Sequence, residues 1–162
     1  MVDQRMIFNM DDVKQAWDYA RENSPCIRRR YGSIISDSLG NRVIATNYRL
    51  GNYCKGDFCI RDYCKAPHGE KVELGGEIHA EQAALVEYSN PSFLDNQYKH
   101  ILVAGLNHLD QPLYGMDTIP CHVCAMMIKF AGFNYVWLPY PNDNVLPISI
   151  DLILENYEQL GQ

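Results

Sequence analysis

Apolar residues recur along the chain in two rhythms, one of helical spacing and one of strands. Val13, Ala16, Trp17 and Ala20 follow the helical spacing and predict a helix capped by Asp11 or Asp12 and running to about Asn23. Ser24-Pro25 ends it, because the residue before a proline avoids the helical region. Residues 32–37 and 42–48 read as strands, joined by the turn residues Leu39-Gly40-Asn41 into a hairpin. Residues 49–76 show no clean period and carry Gly51, Gly56, Pro67, Gly69, Gly75 and Gly76. A structureless loop this long is uncommon in a compact domain.

The period returns at 77–88, where Ile78, Ala80, Ala83, Ala84 and Leu85 predict a helix that Asn90-Pro91 stops. Residues 100–106 form an apolar strand, and a turn around Asp110-Gln111-Pro112 leads to a short strand at 113–114. Pro120 precedes a helix from Cys121 to about Ala131, closed by Gly132. A strand at 135–139, a loop at 141–147 and an amphipathic helix at 148–160 complete the chain. Strands alternating with helices at the back predict a parallel part of the sheet, and the hairpin in front an antiparallel part. The expected fold is α/β: one domain spanning 1–162, a mixed sheet with helices on both faces, and a cysteine-rich insertion at about 49–76.

Composition narrows the function. The 162 residues are 47% hydrophobic and 21% charged, as in an ordinary globular protein. The net charge of −6 argues against long nucleic acid, which leaves a basic footprint, but not against a small phosphate held by a local cluster. The densest basic cluster is Arg28-Arg29-Arg30. No stretch approaches the roughly 20 apolar residues of a membrane span. The first ten residues lack the apolar run of a signal peptide, so a cytoplasmic protein is expected. Six cysteines then read as metal ligands or reduced thiols rather than disulfides. They cluster as Cys26, then Cys54, Cys59 and Cys64, then Cys121 and Cys124, and a metal would give the long loop an anchor.

Two motifs, each opening a predicted helix, carry chemistry: His79-Ala80-Glu81 and Pro120-Cys121-His122-Val123-Cys124. A catalytic zinc needs three protein ligands and one open position for water. Cys121 and Cys124 can grip one ion from adjacent turns of a helix N-terminus, which favours negative sulfur, and His79 can supply the third ligand. Zinc lowers the pKa of its bound water toward ~7. Glu81, two residues beyond His79, can approach that water without binding the metal, the position of a general acid and base. His-x-Glu followed by Pro-Cys-x-x-Cys is the signature of zinc deaminases. A Cys-x-x-Cys alone also fits a zinc knuckle or a redox pair, but neither explains His79 and Glu81. His100 and His108, at a strand start and a strand end, are expected on the surface, and His122 is expected to face away from the metal.

The chain resembles the cytidine and deoxycytidylate deaminase superfamily, and most closely its dCMP deaminase branch. Ser24-Pro25-Cys26-Ile27-Arg28-Arg29 followed by Gly32-Ser33-Ile34-Ile35 is similar to the family's opening and first strand. Cys54-Lys55-Gly56-Asp57-Phe58-Cys59 resembles the insertion of bacterial members. His79-Ala80-Glu81-Gln82-Ala83-Ala84 and Thr118-Ile119-Pro120-Cys121-His122-Val123-Cys124-Ala125 resemble its two metal motifs. The resemblance implies a three-layer α/β/α sandwich on about five strands, zinc on His79, Cys121 and Cys124, and Glu81 as proton shuttle. It implies a homo-oligomer, often a hexamer, and in some members a response to dCTP and dTTP. It also implies a second, structural zinc on Cys26, Cys54 and Cys59, with Cys64, His68 or Glu77 as fourth ligand.

The chain departs from the family at Asn47-Tyr48-Arg49, where Arg49 stands in place of an asparagine that helps hold the nucleoside, and at Ala83, also an asparagine in the family. Asn47 and Arg49 are therefore candidate substrate contacts, and Arg28, Arg29, Arg30 and Arg49 the pool for a phosphate contact. The reaction expected is hydrolytic conversion of dCMP to dUMP and ammonia. Two other readings stand beside it: deamination of another aminopyrimidine or purine, and a zinc-stabilised binding module without turnover.

Overall fold

The computed structural model describes residues 7–26, 28–49, 54–55, 58–59, 77–88 and 99–160. The elements are α1 (Met10–Asn23), β1 (Arg30–Asp37), β2 (Arg42–Thr46), β3 (Tyr48–Arg49), β4 (Cys54–Lys55), β5 (Phe58–Cys59), β6 (Glu77–Ile78), α2 (Ala80–Glu87), β7 (Lys99–Leu106), β8 (Pro112–Leu113), a 3-10 turn (Gly115–Thr118), α3 (His122–Phe130), β9 (Tyr135–Tyr140), β10 (Asn144–Ser149) and α4 (Ile150–Leu160). A six-stranded sheet runs β10-β9-β7-β1-β2, with β8 pairing β7. β7 and β9 are parallel. β1 is antiparallel to both β2 and β7, and β10 to β9.

The strands are apolar on both faces because helices cover both. Ile34, Leu102, Ala104, Leu106 and Trp137 meet Val13, Ala16 and Trp17 of α1 on one side. Ile35, Ile101, Val103, Val136 and Leu138 alternate with them and meet Ala84 of α2, Ala125 and Ile128 of α3, and Ile150 and Ile153 of α4 on the other. Gly32 lets α1 lie close to β1, since a Cβ there would run into the Ala16 carbonyl. The expected layered α/β sandwich is present.

Several boundaries differ from the sequence reading. The cap of α1 is Asn9, whose Oδ1 accepts from the N–H groups of Asp11 and Asp12 at 2.9 and 3.2 Å. Asp12 is the third helical residue and completes the reciprocal box, accepting from Asn9 N–H at 2.9 Å. Glu77 and Ile78 belong to β6, paired with β3, so α2 begins later than its apolar pattern suggested. The predicted 141–147 loop is mostly β10. Asn142 and Asp143 take φ values of 67° and 60° and turn the chain back onto β9. Pro147 is tolerated because β10 lies at the sheet edge, where no partner needs its missing N–H.

Two polar contacts fix the far ends of α2 and α3. Tyr88, the C-cap of α2, donates to Asp37 at the end of β1 at 2.6 Å. Asp37 also accepts from Leu39 N–H, Asn41 N–H and the Asn41 amide, closing the hairpin turn. Burial pushes the Asp37 carboxyl up, but these hydrogen bonds outweigh it and hold it at about 2. At the start of β7, buried Lys99 donates to the Ala131 carbonyl at the C-terminus of α3 at 2.6 Å. A cation there also favours the negative end of the helix dipole.

Because Asp37 is more acidic folded than unfolded, its contribution is present above the ordinary carboxylate range and is lost as pH falls toward 2. Tyr88→Phe should lower the melting temperature by about 4 °C at pH 7. The difference from wild type should vanish near pH 2, as followed by circular dichroism across a pH series.

Candidate metal centre

α2 and α3 begin at the same place, and their first residues face each other. Cys121 is the N-cap of α3, with extended backbone, and its Sγ accepts from Cys124 N–H at 3.4 Å. A Cys-x-x-Cys placed on N-cap and third helical residue therefore brings both sulfurs over one turn. His79 is the N-cap of α2, and its N–H donates to Gln82 Oε1 at 2.9 Å. The Gln82 amide reaches across to Met127 Sδ on α3 at 3.5 Å, so the two helices are tied beside the ligands.

His79 Nδ1 lies 3.4 Å from Cys121 Sγ and 3.3 Å from Cys124 Sγ. The three ligand atoms all fall within 4.8 Å of one another, the one such group among the described residues. Ligands of a tetrahedral zinc, with bonds of about 2.3 Å to sulfur and about 2.0 Å to nitrogen, lie roughly 3.5 Å apart. Two sulfurs and one imidazole nitrogen at that spacing fit zinc, and three protein ligands leave the fourth position open.

The groups already behave as one electrostatic unit. Cys121 is drawn well below the ordinary thiol range by its hydrogen bond with Cys124, against the effect of burial and with His79 adding to it. Cys124 is pushed up by the same contact and by burial. Glu81 is only 5% exposed, and burial pushes its carboxyl up while the charge of His79 opposes that. It stands outside the ligand group yet close enough to Cys124 for each to bear on the other's protonation. A buried carboxyl in that position can hold a proton and return it.

The tyrosines around the site carry no motif. Tyr157 of α4 donates to the Pro120 carbonyl at 2.8 Å, bracing the peptide that leads into Cys121. Its ring stacks on the exposed His122 at 5.3 Å, so His122 faces outward. Tyr31 of β1 donates to the Asp117 carbonyl at 3.4 Å and accepts from Arg29 at 3.2 Å. A helical apolar stripe of Ile150, Ile153, Leu154 and Tyr157 marks Tyr157 as inward-facing in the sequence, but nothing there names its partner.

The remaining candidates divide. Asn47 is 2% exposed and its amide is spent within the protein. It accepts from Ser24 Oγ at 2.6 Å and Tyr31 N–H at 3.0 Å, and donates to the Arg29 carbonyl at 3.0 Å. Cys26 is half-buried, with its N–H donated to Ser24 Oγ at 3.3 Å. The β4–β5 register sets Cys54 opposite Cys59. The side chains of Arg49, Cys54, Cys59 and Glu77, and all of Cys64 and His68, lie outside the described residues. His100 is half-buried and meets Trp137 edge-on at 6.4 Å, rather than lying on the surface.

The sequence matches no protein-family model and no curated protein. The structure is similar to that of a cytidine deaminase from Burkholderia pseudomallei, with 18% identity over 90% of this chain and 96% of that one, at a TM-score of 0.54. It is also similar to a mutant cytidine deaminase from Mycobacterium tuberculosis, with 14% identity over 91% and 95% and a TM-score of 0.50. The fold is that of the cytidine deaminases.

Purified protein should lose one equivalent of zinc when His79→Ala or Cys124→Ser is introduced, by elemental analysis against wild type. Cobalt in place of zinc should give a sulfur-to-metal charge-transfer band that each variant removes. Full zinc content in both variants would dissolve the site.

Proposed function

We propose that this protein is a zinc-dependent hydrolytic deaminase of a cytosine-type pyrimidine, and that its substrate is the nucleotide dCMP. The observation that carries the proposal is the His79, Cys121 and Cys124 group with the buried Glu81 carboxyl beside it. A purely structural metal site has four protein ligands and no use for a buried carboxyl that stays off the metal. A zinc ion held by His79, Cys121 and Cys124 would supply a water of lowered pKa.

The chain's own residues then do the proton work. As the water oxygen bonds to C4, Glu81 takes a proton from it and passes it to N3. Glu81 then takes the second proton from the new C4 hydroxyl and gives it to the exocyclic amine; the C4–N bond breaks, the hydroxyl oxygen becomes the carbonyl, and ammonia leaves a uracil ring. Deamination is balanced by water alone and needs no redox partner.

We also propose a homo-oligomer. Val123, Met126 and Phe130 stand in a row on α3 and are 56%, 51% and 95% exposed. The cation on that helix, Lys129, is paired with Asp151 of α4 at 2.9 Å. In a chain of net charge −6, two copies repel elsewhere and meet most favourably across an apolar helix face.

A panel of dCMP, CMP, deoxycytidine, cytosine and guanine, followed by mass spectrometry, tests the reaction. Turnover of dCMP is expected, with Glu81→Gln keeping its zinc and losing about 1,000-fold in kcat. Turnover of a different member would keep the mechanism and replace the substrate, and a zinc-loaded protein inert on all of them would leave a binding module. By light scattering, Phe130→Glu should reduce the assembled mass, whereas Leu39→Glu, on the distant hairpin turn, should not. A monomeric wild type would end the oligomer proposal.

A further inference from the structure

The three ligand residues are not held alike. Cys124 is the third helical residue of α3 and is fully buried, so the helix itself fixes it. His79 caps α2, but the chain enters it from β6, where Ile78 pairs with Tyr48, and its own N–H is tied to Gln82 at 2.9 Å. Cys121 caps α3 with a weaker approach. The 3-10 turn at Gly115–Thr118 stops short of it, and Ile119 N–H reaches the Met116 carbonyl only at 3.4 Å. Pro120, directly before Cys121, has no N–H to give. Cys121 therefore takes its position from the peptide that leads into it.

That peptide is clamped by one side chain. Pro120 is buried, and a buried carbonyl needs a donor. The first acceptor of α3 is the Cys121 carbonyl, which takes Ala125 N–H at 2.8 Å, so the Pro120 carbonyl lies outside the helix ladder. The Tyr157 hydroxyl donates to it at 2.8 Å, and the Tyr157 ring stacks on His122 at 5.3 Å with 23° between the planes. Tyr157 thus holds the residue before Cys121 by its carbonyl and the residue after it by its ring. Turning the Pro120–Cys121 peptide would change the φ of Cys121, −63° here, and swing its sulfur. The hydrogen bond opposes that turn. Tyr157 is itself delivered by packing. Ile150 and Ile153 are buried on the same face of α4, and Ile150 N–H donates to the Asn134 carbonyl at 2.9 Å.

We propose that Tyr157 is a positioning residue for the metal centre: it latches Cys121, the ligand held least by its own backbone, and so sets how long the centre keeps its ion. The proposal rests on the zinc reading of His79, Cys121 and Cys124 and is independent of which pyrimidine is the substrate. The competing role for Tyr157 is general stability, in which its hydroxyl only docks α4 and bears on all three ligands alike.

The test follows zinc release and cysteine access. Release from zinc-loaded protein into an excess of a chromogenic chelator is timed well below the melting temperature. In reduced, metal-free protein, iodoacetamide modification of Cys121 and of Cys124 is located by tandem mass spectrometry. Tyr157→Phe keeps a ring against His122 and removes only the hydroxyl. It should release zinc about 5-fold faster, the size of one hydrogen bond, and expose Cys121 to modification several-fold faster with Cys124 unchanged. Ile153→Val is the control: it thins the packing of the same helix at a similar cost in stability, leaves the hydroxyl in place, and should do neither. Release at the wild-type rate in Tyr157→Phe, equal acceleration in Ile153→Val, or faster modification of both cysteines alike overturns the latch. A wild type that binds no zinc overturns the metal centre with it, whereas a zinc-holding wild type and an unmoved Tyr157→Phe overturn the latch alone.

Discussion

Two helices begin head to head at the ligand group, and the rest of the structure has to permit it. Each helix N-terminus carries roughly half a positive charge, so bringing two together is unfavourable unless negative groups lie between them. Cys121, Cys124 and Glu81 are those groups, and all three come from the first turns of α2 and α3. The mutual dependence runs both ways: the helix ends favour thiolate and carboxylate, and these favour the convergence of the helix ends. A divalent ion with two thiolates adds a locally neutral unit to that arrangement, which is the electrostatic reason that this donor set suits zinc.

Convergence at the near ends requires anchorage at the far ends. Tyr88 to Asp37 pins α2 to the β1–β2 hairpin, and Lys99 to Ala131 pins α3 to the start of β7. Both anchors lie on strands next to each other in the sheet, so the spacing of the two helices is set by the spacing of β1 and β7. α4 adds a third support through Tyr157 and the Pro120 carbonyl. The site is thus held from the sheet below and from the final helix beside it.

The grouping of His79, Cys121 and Cys124 was legible in the sequence because metal chemistry demands particular residue types at fixed helical spacing. The helices and the long strands were legible for a related reason: covered on both faces, their apolar residues leave an unbroken pattern, as in β7. What escaped was what depends on distant partners. Pro147 reads as loop, and only the position of β10 at the sheet edge lets it lie in a strand, with the polar Asn142-Asp143 pair as the turn that leads into it. Asn9 sits just outside the periodic segment, so the acidic residues inside it looked like the cap. Tyr31 and Tyr157 act through backbone carbonyls, which any sequence offers everywhere.

The same distinction separates reaction from substrate. The family resemblance places nucleoside recognition at the end of the second strand, yet Asn47 there is consumed in joining Ser24, Arg29 and Tyr31. Its amide fixes the start of β1 instead, and in doing so fixes the backbone from which Arg29 and Tyr31 project.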